Sequence, residues 1–184
     1  MEVNETDFPD EIFYDYVLCQ FDRNSDGWLN HDELSNATYF FAEGSGNLTS
    51  LKGIELLYAL EDLDTGECGI TSLDLRGNRN LTSVSLYGNP LTELRLEGLS
   101  ELSYLSVAAT NLSTLDLSQN PELHYLYAYD CPNLSVLDIR SCPNLVNIYK
   151  NGQKTDYGTY AADHYGLDGV GELVVDKSLT VIAD

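Results

Sequence analysis

Between Leu60 and Ile148 an aliphatic residue recurs at every tenth or eleventh position, and a second follows each of them by three. The first series is Leu60, Ile70, Leu81, Leu91, Leu102, Leu112, Leu123, Leu134 and Leu145. The second is Leu63, Leu73, Val84, Leu94, Leu105, Leu115, Leu126, Leu137 and Ile148. Leu75, Leu86, Leu96, Val107, Leu117 and Ile139 add a third rung two residues further on. Two kinds of segment alternate, and Leu60, Leu81, Leu102 and Leu123 start the first kind 21 residues apart. The second kind reads TSLDLRGN, TELRLEG, STLDLSQN and SVLDIRSC. A unit of about 21 residues lies inside the leucine-rich-repeat window.

One such coil cannot bury its own apolar face, whereas stacked coils share a continuous core. The spacing predicts an α/β repeat protein, a leucine-rich-repeat solenoid with a short parallel β-sheet. LxxLxL gives each coil a strand, and the other half is read as the return path. Counting the coil at Leu145, five strands at ~4.8 Å spacing make a sheet roughly 20 Å wide. Eight residues after each strand start stand Cys68, Asn89, Thr110 and Cys131, where a small or polar side chain can bond turn backbone. Cys68 and Cys131 are three coils apart, ~15 Å by strand spacing and beyond disulfide reach, so thiols are expected. A helical N-terminal cap is placed at 1–45, the solenoid at 46–153 and a C-terminal β cap at 154–184.

Residues 22–33, DRNSDGWLNHDE, match the calcium-loop pattern D-x-[DN]-x-[DN]-G-x₅-E at each fixed position. Ca²⁺ takes six to eight oxygens. Asp22, Asn24 and Asp26 would give side-chain oxygens, Trp28 its carbonyl, Asn30 a direct or water-mediated contact and Glu33 both carboxylate oxygens. Gly27 permits the turn. Flanking helices are expected from Phe8-Pro9-Asp10-Glu11 onward and from about His31 to Phe41. A lone EF-hand must bury its apolar helix faces against the first coil, as a cap.

On the strand half, positions two, four, six and seven after each start point out of the core. They carry six of the thirteen tyrosines: Tyr87, Tyr104, Tyr125, Tyr127, Tyr129 and Tyr149. Tyr pairs a rigid apolar ring with a hydroxyl and is enriched at interfaces. The predicted concave face is therefore a candidate ligand face, centred on Tyr125, Tyr127 and Tyr129. High β-propensity of Tyr is the competing explanation.

Charge narrows the partners. Nine Lys and Arg against 30 Asp and Glu give a formal net charge of −21. Such a surface repels phosphate backbones and anionic lipid, which argues against nucleic-acid and membrane-surface binding. No apolar run approaches the ~18 residues of a membrane span, and MEVNETDFPD lacks the basic and apolar regions of a signal peptide. A monomer is expected. No acid, base and nucleophile converge in sequence, so an enzyme is not expected. Asp163-His164 is a lone pair, and His31 and His124 have no fixed partner.

The order of these segments resembles a known family. NETDFPDEIFYDYV, FDRNSDGWLNHDEL, LTSLKGIELLYALEDLD, the repeats, LVNIYKNGQKT and ELVVDKSLTVIAD are similar to internalin-like leucine-rich-repeat surface proteins of anaerobic bacteria, in the subset with an N-terminal EF-hand-like segment. The resemblance implies a secreted or surface-attached protein whose repeats bind a protein or glycan. It also implies a Ca²⁺ cap held by Asp22, Asn24, Asp26, Trp28, Asn30 and Glu33. Many relatives carry Cys where this chain has Thr65, Leu86, Val107 and Ala128, and no cell-wall anchor motif is visible. A calcium-responsive sensor and a structural spacer of a larger surface protein are the alternatives.

Overall fold

A computed structural model describes residues 1–42, 44–156 and 171–184. The N-terminal segment folds because Asp10 starts a helix and the apolar spacing after it makes one buried stripe. Asp10 Oδ1 accepts the Ile12 and Phe13 N–H groups at 3.1 and 3.2 Å, capping α1 (Glu11–Phe21). Phe13, Val17 and Phe21 repeat at helical spacing and are buried. Phe13 meets Phe8 and Phe40 edge-on at 5.4 and 5.2 Å.

The exit helix expected to reach Phe41 is a single turn, α2 (His31–Ser35). Asn36 N–H turns back onto the Asp32 and Glu33 carbonyls. The following Thr38, Tyr39, Phe40 and Phe41 are β-formers, and they become strand β1 (Tyr39–Phe41).

The solenoid follows as β2 (Asp62–Asp64), β3 (Ser72–Asp74), β4 (Ser83–Ser85), β5 (Glu93–Arg95), β6 (Tyr104–Ser106), β7 (Tyr125–Ala128) and β8 (Val136–Asp138). Then come α3 (Pro143–Lys150), β9 (Thr155–Asp156), β10 (Glu172–Val175) and β11 (Thr180–Ile182). The main sheet is parallel in the order β1-β2-β4-β6-β7-β10-β9. Its 21-residue register pairs Leu63 with Val84, Val84 with Leu105 and Leu105 with Leu126. The return half is more than a connection, since β3 pairs with β5 and β8 with β11. Both aliphatic series line the core. All eighteen residues are buried except Leu94, which is half-buried.

The polar columns hold the coils together. Asn89 donates to the Thr65 and Leu86 carbonyls at 2.7 and 3.0 Å, and its Oδ1 accepts Ile70 N–H at 3.0 Å. Cys68 and Cys131 take the same place and donate to Ala42 O at 2.9 Å and Val107 O at 3.2 Å. On the return side Asn78 donates to the Ile54 and Leu57 carbonyls, and Asn120 to those of Leu96 and Leu99. All four cysteines are thiols, and only Cys19 is exposed. Burial pushes the Cys142 thiol up to about 11, helped by the Asp138 charge, so it is a structural, protonated group at neutral pH.

The fifth strand expected at Leu145 is absent. That segment is α3, with Pro143 in its first turn and Leu145 and Ile148 buried. LxxL spacing equals a helical i, i+3 pair, and Lys150 stands where a strand would need a third aliphatic rung. The vacated place beside β7 is taken by β10, which matches Leu173 to Leu126 and Val175 to Ala128. Gly171 lets β10 arrive there. Its φ is +84°, and a Cβ would lie 2.6 Å from the His124 carbonyl.

Candidate ligand face and calcium loop

The sheet's alternation sorts its residues. Phe40, Leu63, Val84, Leu105 and Leu126 are buried, and their strand neighbours point to the other side. Tyr104, Tyr125 and Tyr127 come together there. The Tyr104 ring lies 6.4 Å from Tyr125 and 5.6 Å from Tyr127. Tyr127 Oη donates to Glu172 Oε2 at 2.6 Å, tying the tyrosine cluster to β10. Tyr87 and Tyr129 lie just beyond β4 and β7, where their carbonyls accept the Glu67 and Ala109 N–H groups and extend the ladder. Tyr87 is exposed and Tyr129 half-buried.

Tyr149 is a correction. It sits on α3, partly buried against the core, because its segment is helical rather than extended. Glu172 and Val174 hold the sheet positions beside Tyr125 and Tyr127 instead. Two face residues went unforeseen. Tyr39 and Phe41 are 51 % and 41 % exposed and stack with centroids 6.3 Å apart and planes 15° apart. The alternating YFF triplet carried the signal, but it fell inside the segment read as helix.

A groove of about 960 Å³ across β3 and β5 is lined by Lys52, Arg76, Arg79 and Arg95, four of the nine basic residues. Its charges are largely compensated within the groove. Arg76 is bidentate on Asp74 and Arg95 pairs with Glu93 at 2.8 Å. The Arg76 hydrogen bonds hold Asp74 below its ordinary range. The same Asp-x-Arg pairing on β8 draws Asp138 down to about 2.

In the calcium loop, Asp22 accepts the Asp26 and Gly27 N–H groups at 3.2 and 2.9 Å. Asp26 Oδ1 accepts Trp28 N–H at 2.8 Å, and Asp26 Oδ2 accepts from Asn24 Nδ2 at 2.9 Å. Ser25 and Gly27 have φ of +58° and +79°. Glu33 is 5 % exposed and bridges the loop ends, accepting Arg23 N–H and Asn30 N–H, each at 2.9 Å. Asn30 accepts Glu33 N–H in return, a capping box on α2. The pattern thus has a helix-capping role that sequence reasoning did not separate from metal binding. Val3 N–H donates to Gly27 O and Leu29 N–H to Met1 O, so residues 1–3 give this lone loop an antiparallel partner.

The donor chemistry fits a hard divalent cation, because Asp22, Asn24, Asp26, Glu33 and the Trp28 carbonyl offer oxygen only. As the side chains stand, no three Asp, Glu, His or Cys among the described residues form a metal-holding cluster. The Asn24–Asp26 hydrogen bond and the Glu33 capping contacts are what a cation would have to displace.

The Asp163–His164 pair lies outside the described residues, and His31 contacts the Tyr58 hydroxyl at 3.3 Å. No helix among the described residues is long and apolar enough to cross a membrane.

Comparison with solved structures identifies the fold. The functional domain of InlJ from Listeria monocytogenes, whose structure includes a cysteine ladder, superposes with a TM-score of 0.66 at 31 % identity. The internalin InlF of the same species superposes with a TM-score of 0.67 at 23 % identity. The chain is an internalin-like leucine-rich-repeat solenoid. These matches cover 76 % and 79 % of this internalin-like chain but only 31 % and 43 % of the two Listeria chains. No protein-family model and no curated protein sequence matches it.

Proposed function

We propose that this internalin-like chain is the protein-binding part of a secreted or surface-attached protein, and that the outer face of its main sheet is the binding surface. The observation that carries the reading is the joined cluster of Tyr104, Tyr125 and Tyr127 on a regular, leucine-cored scaffold. Rings held by rigid strands lose little freedom on binding, and a few such anchors dominate interface energies. A glycan is the second ligand class that clustered tyrosines would serve. The fold similarity to internalins favours a binding role over an enzymatic one. Screening the folded chain against arrayed extracellular proteins and glycans tests it. A saturable protein hit is the expected result, and an array without any saturable hit would contradict it.

We infer further that one Ca²⁺ in the 22–33 loop stabilises the cap. Asp22, Asn24, Asp26 and Glu33 would hold it with their side chains and Trp28 with its carbonyl, while Asn30 would contribute directly or through water. The ion would neutralise carboxylates that otherwise repel in a chain of net charge −21. A sensor needs an apolar helix face to open. Here Phe13 and Val17 of α1 are fully buried, with Phe13 edge-on to Phe40 of β1, which favours a structural ion. Binding to the folded form alone adds ~2.7 kcal/mol at one hundred times Kd. The melting temperature of chelator-stripped protein should rise on adding calcium, and Glu33→Ala should remove most of that rise. An unchanged melting temperature of the wild type would contradict it.

A further inference from the structure

The N-terminal half of the sheet face carries a second pattern, which rests on the reading of that face as the binding surface and specifies the partner's chemistry. Strand β1 pairs in register with β2, so that Tyr39 stands beside Asp62 and Phe41 beside Asp64. Phe40 and Leu63 are buried between them, and alternation therefore sends both rings and both carboxylates out of the same side. Neighbouring strands are ~4.8 Å apart, so each ring adjoins a carboxylate. The next strand presents only Ser83 and Ser85, which leaves the carboxylates uncrowded. No Lys, Arg or His projects from the outer face of β1, β2, β4 or β6. Among the described residues the Asp62 carboxylate makes no hydrogen bond or ion pair, and the Asp64 carboxylate accepts one N–H, from Gly66, at 3.4 Å.

We propose that the Tyr39–Asp62 and Phe41–Asp64 pairs form a twin cation site that receives two alternate Arg or Lys side chains of an extended basic peptide segment of the partner. A guanidinium can lie on an aromatic face while its edge meets a carboxylate, combining cation–π attraction with paired hydrogen bonds. Residues two apart on a strand are ~6.7 Å apart, so the spacing of Asp62 and Asp64 matches alternate side chains of an extended ligand. The net charge of −21 draws a basic segment in and opposes the approach of a second copy of this chain. Docking is on the face and not by strand addition at the edge. Gln20 covers that edge, donating from Nε2 to Phe41 O at 2.9 Å and accepting Phe41 N–H through Oε1.

The test is a titration of the isotope-labelled chain with the blocked peptide Gly-Arg-Gly-Arg-Gly, followed by amide chemical shifts. Three variants are compared: Asp62→Asn with Asp64→Asn, Phe41→Leu, and the charge-matched pair Glu101→Gln with Glu122→Gln. Thermal melting checks that each variant is folded. The expected shifts centre on β1 and β2. Affinity should fall roughly tenfold or more in the aspartate pair and several-fold in Phe41→Leu, and stay within about twofold in the charge-matched pair. Shifts centred on Tyr104 and Tyr125 with no loss in the aspartate pair would overturn the twin site and leave the binding face standing. Shifts away from the sheet face would overturn both. Equal losses in both charge-changing pairs, or no binding, would overturn the twin site alone.

Discussion

Asp10 and Thr49 join the cap to the solenoid. The second carboxylate oxygen of Asp10 accepts the Thr49 N–H at 3.0 Å and its hydroxyl at 2.9 Å, and also the Ser50 N–H at 3.0 Å. One oxygen therefore caps α1 while the other holds the approach to the first coil. Burial alone would raise the Asp10 pKa. The hydrogen bonds from Thr49, Phe13 and Ser50 outweigh it and hold the group below its ordinary value. With the folded value depressed, the stabilisation is complete above the unfolded value of about 3.9 and is lost as pH falls through the folded one. Asp10→Ala should cost about 1–3 kcal/mol in denaturant unfolding near neutral pH. The difference from wild type should shrink below about pH 4.

The same junction depends on Gly53. Its φ is +100°, and a Cβ there would fall 2.3 Å from the Asp7 carbonyl and 2.8 Å from Phe8 Cδ1. Gly53→Ala should lower stability by about 2 kcal/mol or more, from backbone strain and displacement of the cap. Hydrogen exchange should show the loss in residues 1–42 first, with the β4–β6 core retaining its protection.

Thr65 runs the other way. It is fully buried, in the position held by Leu86, Val107 and Ala128 in later coils, and no atom of the described residues partners its hydroxyl. Thr65→Val keeps the shape and removes a desolvated polar group, so it should stabilise by about 1 kcal/mol. A raised melting temperature with unchanged circular dichroism would confirm this, and a lowered one would show that the hydroxyl is satisfied in solution.

The parts legible in the sequence are those where a single spacing fixes both local structure and burial. LxxLxL does this at Leu81, Val84 and Leu86, and four coils stack in the expected register. Leu145 and Ile148 show the limit, because their spacing serves a helix equally well and Pro143 and Lys150 decide the outcome. Strand β10 was legible as a β segment, but its place beside β7 follows from a vacancy that only the helical turn of α3 creates. Tyr149 left the face for the same reason. Tyr39 and Phe41 joined it because a three-residue strand after one turn of helix is too short for periodicity to reveal. In the calcium loop the ligand pattern was legible residue by residue. Asn30 and Glu33 also satisfy a capping box, and the two roles share one spacing.

The face carries the central claim, and Tyr104 and Tyr125 test it best. Neither makes the β10 hydrogen bond that Tyr127 gives to Glu172, so their loss leaves that tie between β7 and β10 in place. The measurement is the affinity of Tyr104→Ala with Tyr125→Ala for the protein partner found on the array, alongside its melting curve. Affinity should fall roughly tenfold or more, since each lost anchor typically costs more than ~1 kcal/mol, while cooperative melting is kept. Unchanged affinity in the folded double variant would contradict the account and place the binding surface elsewhere.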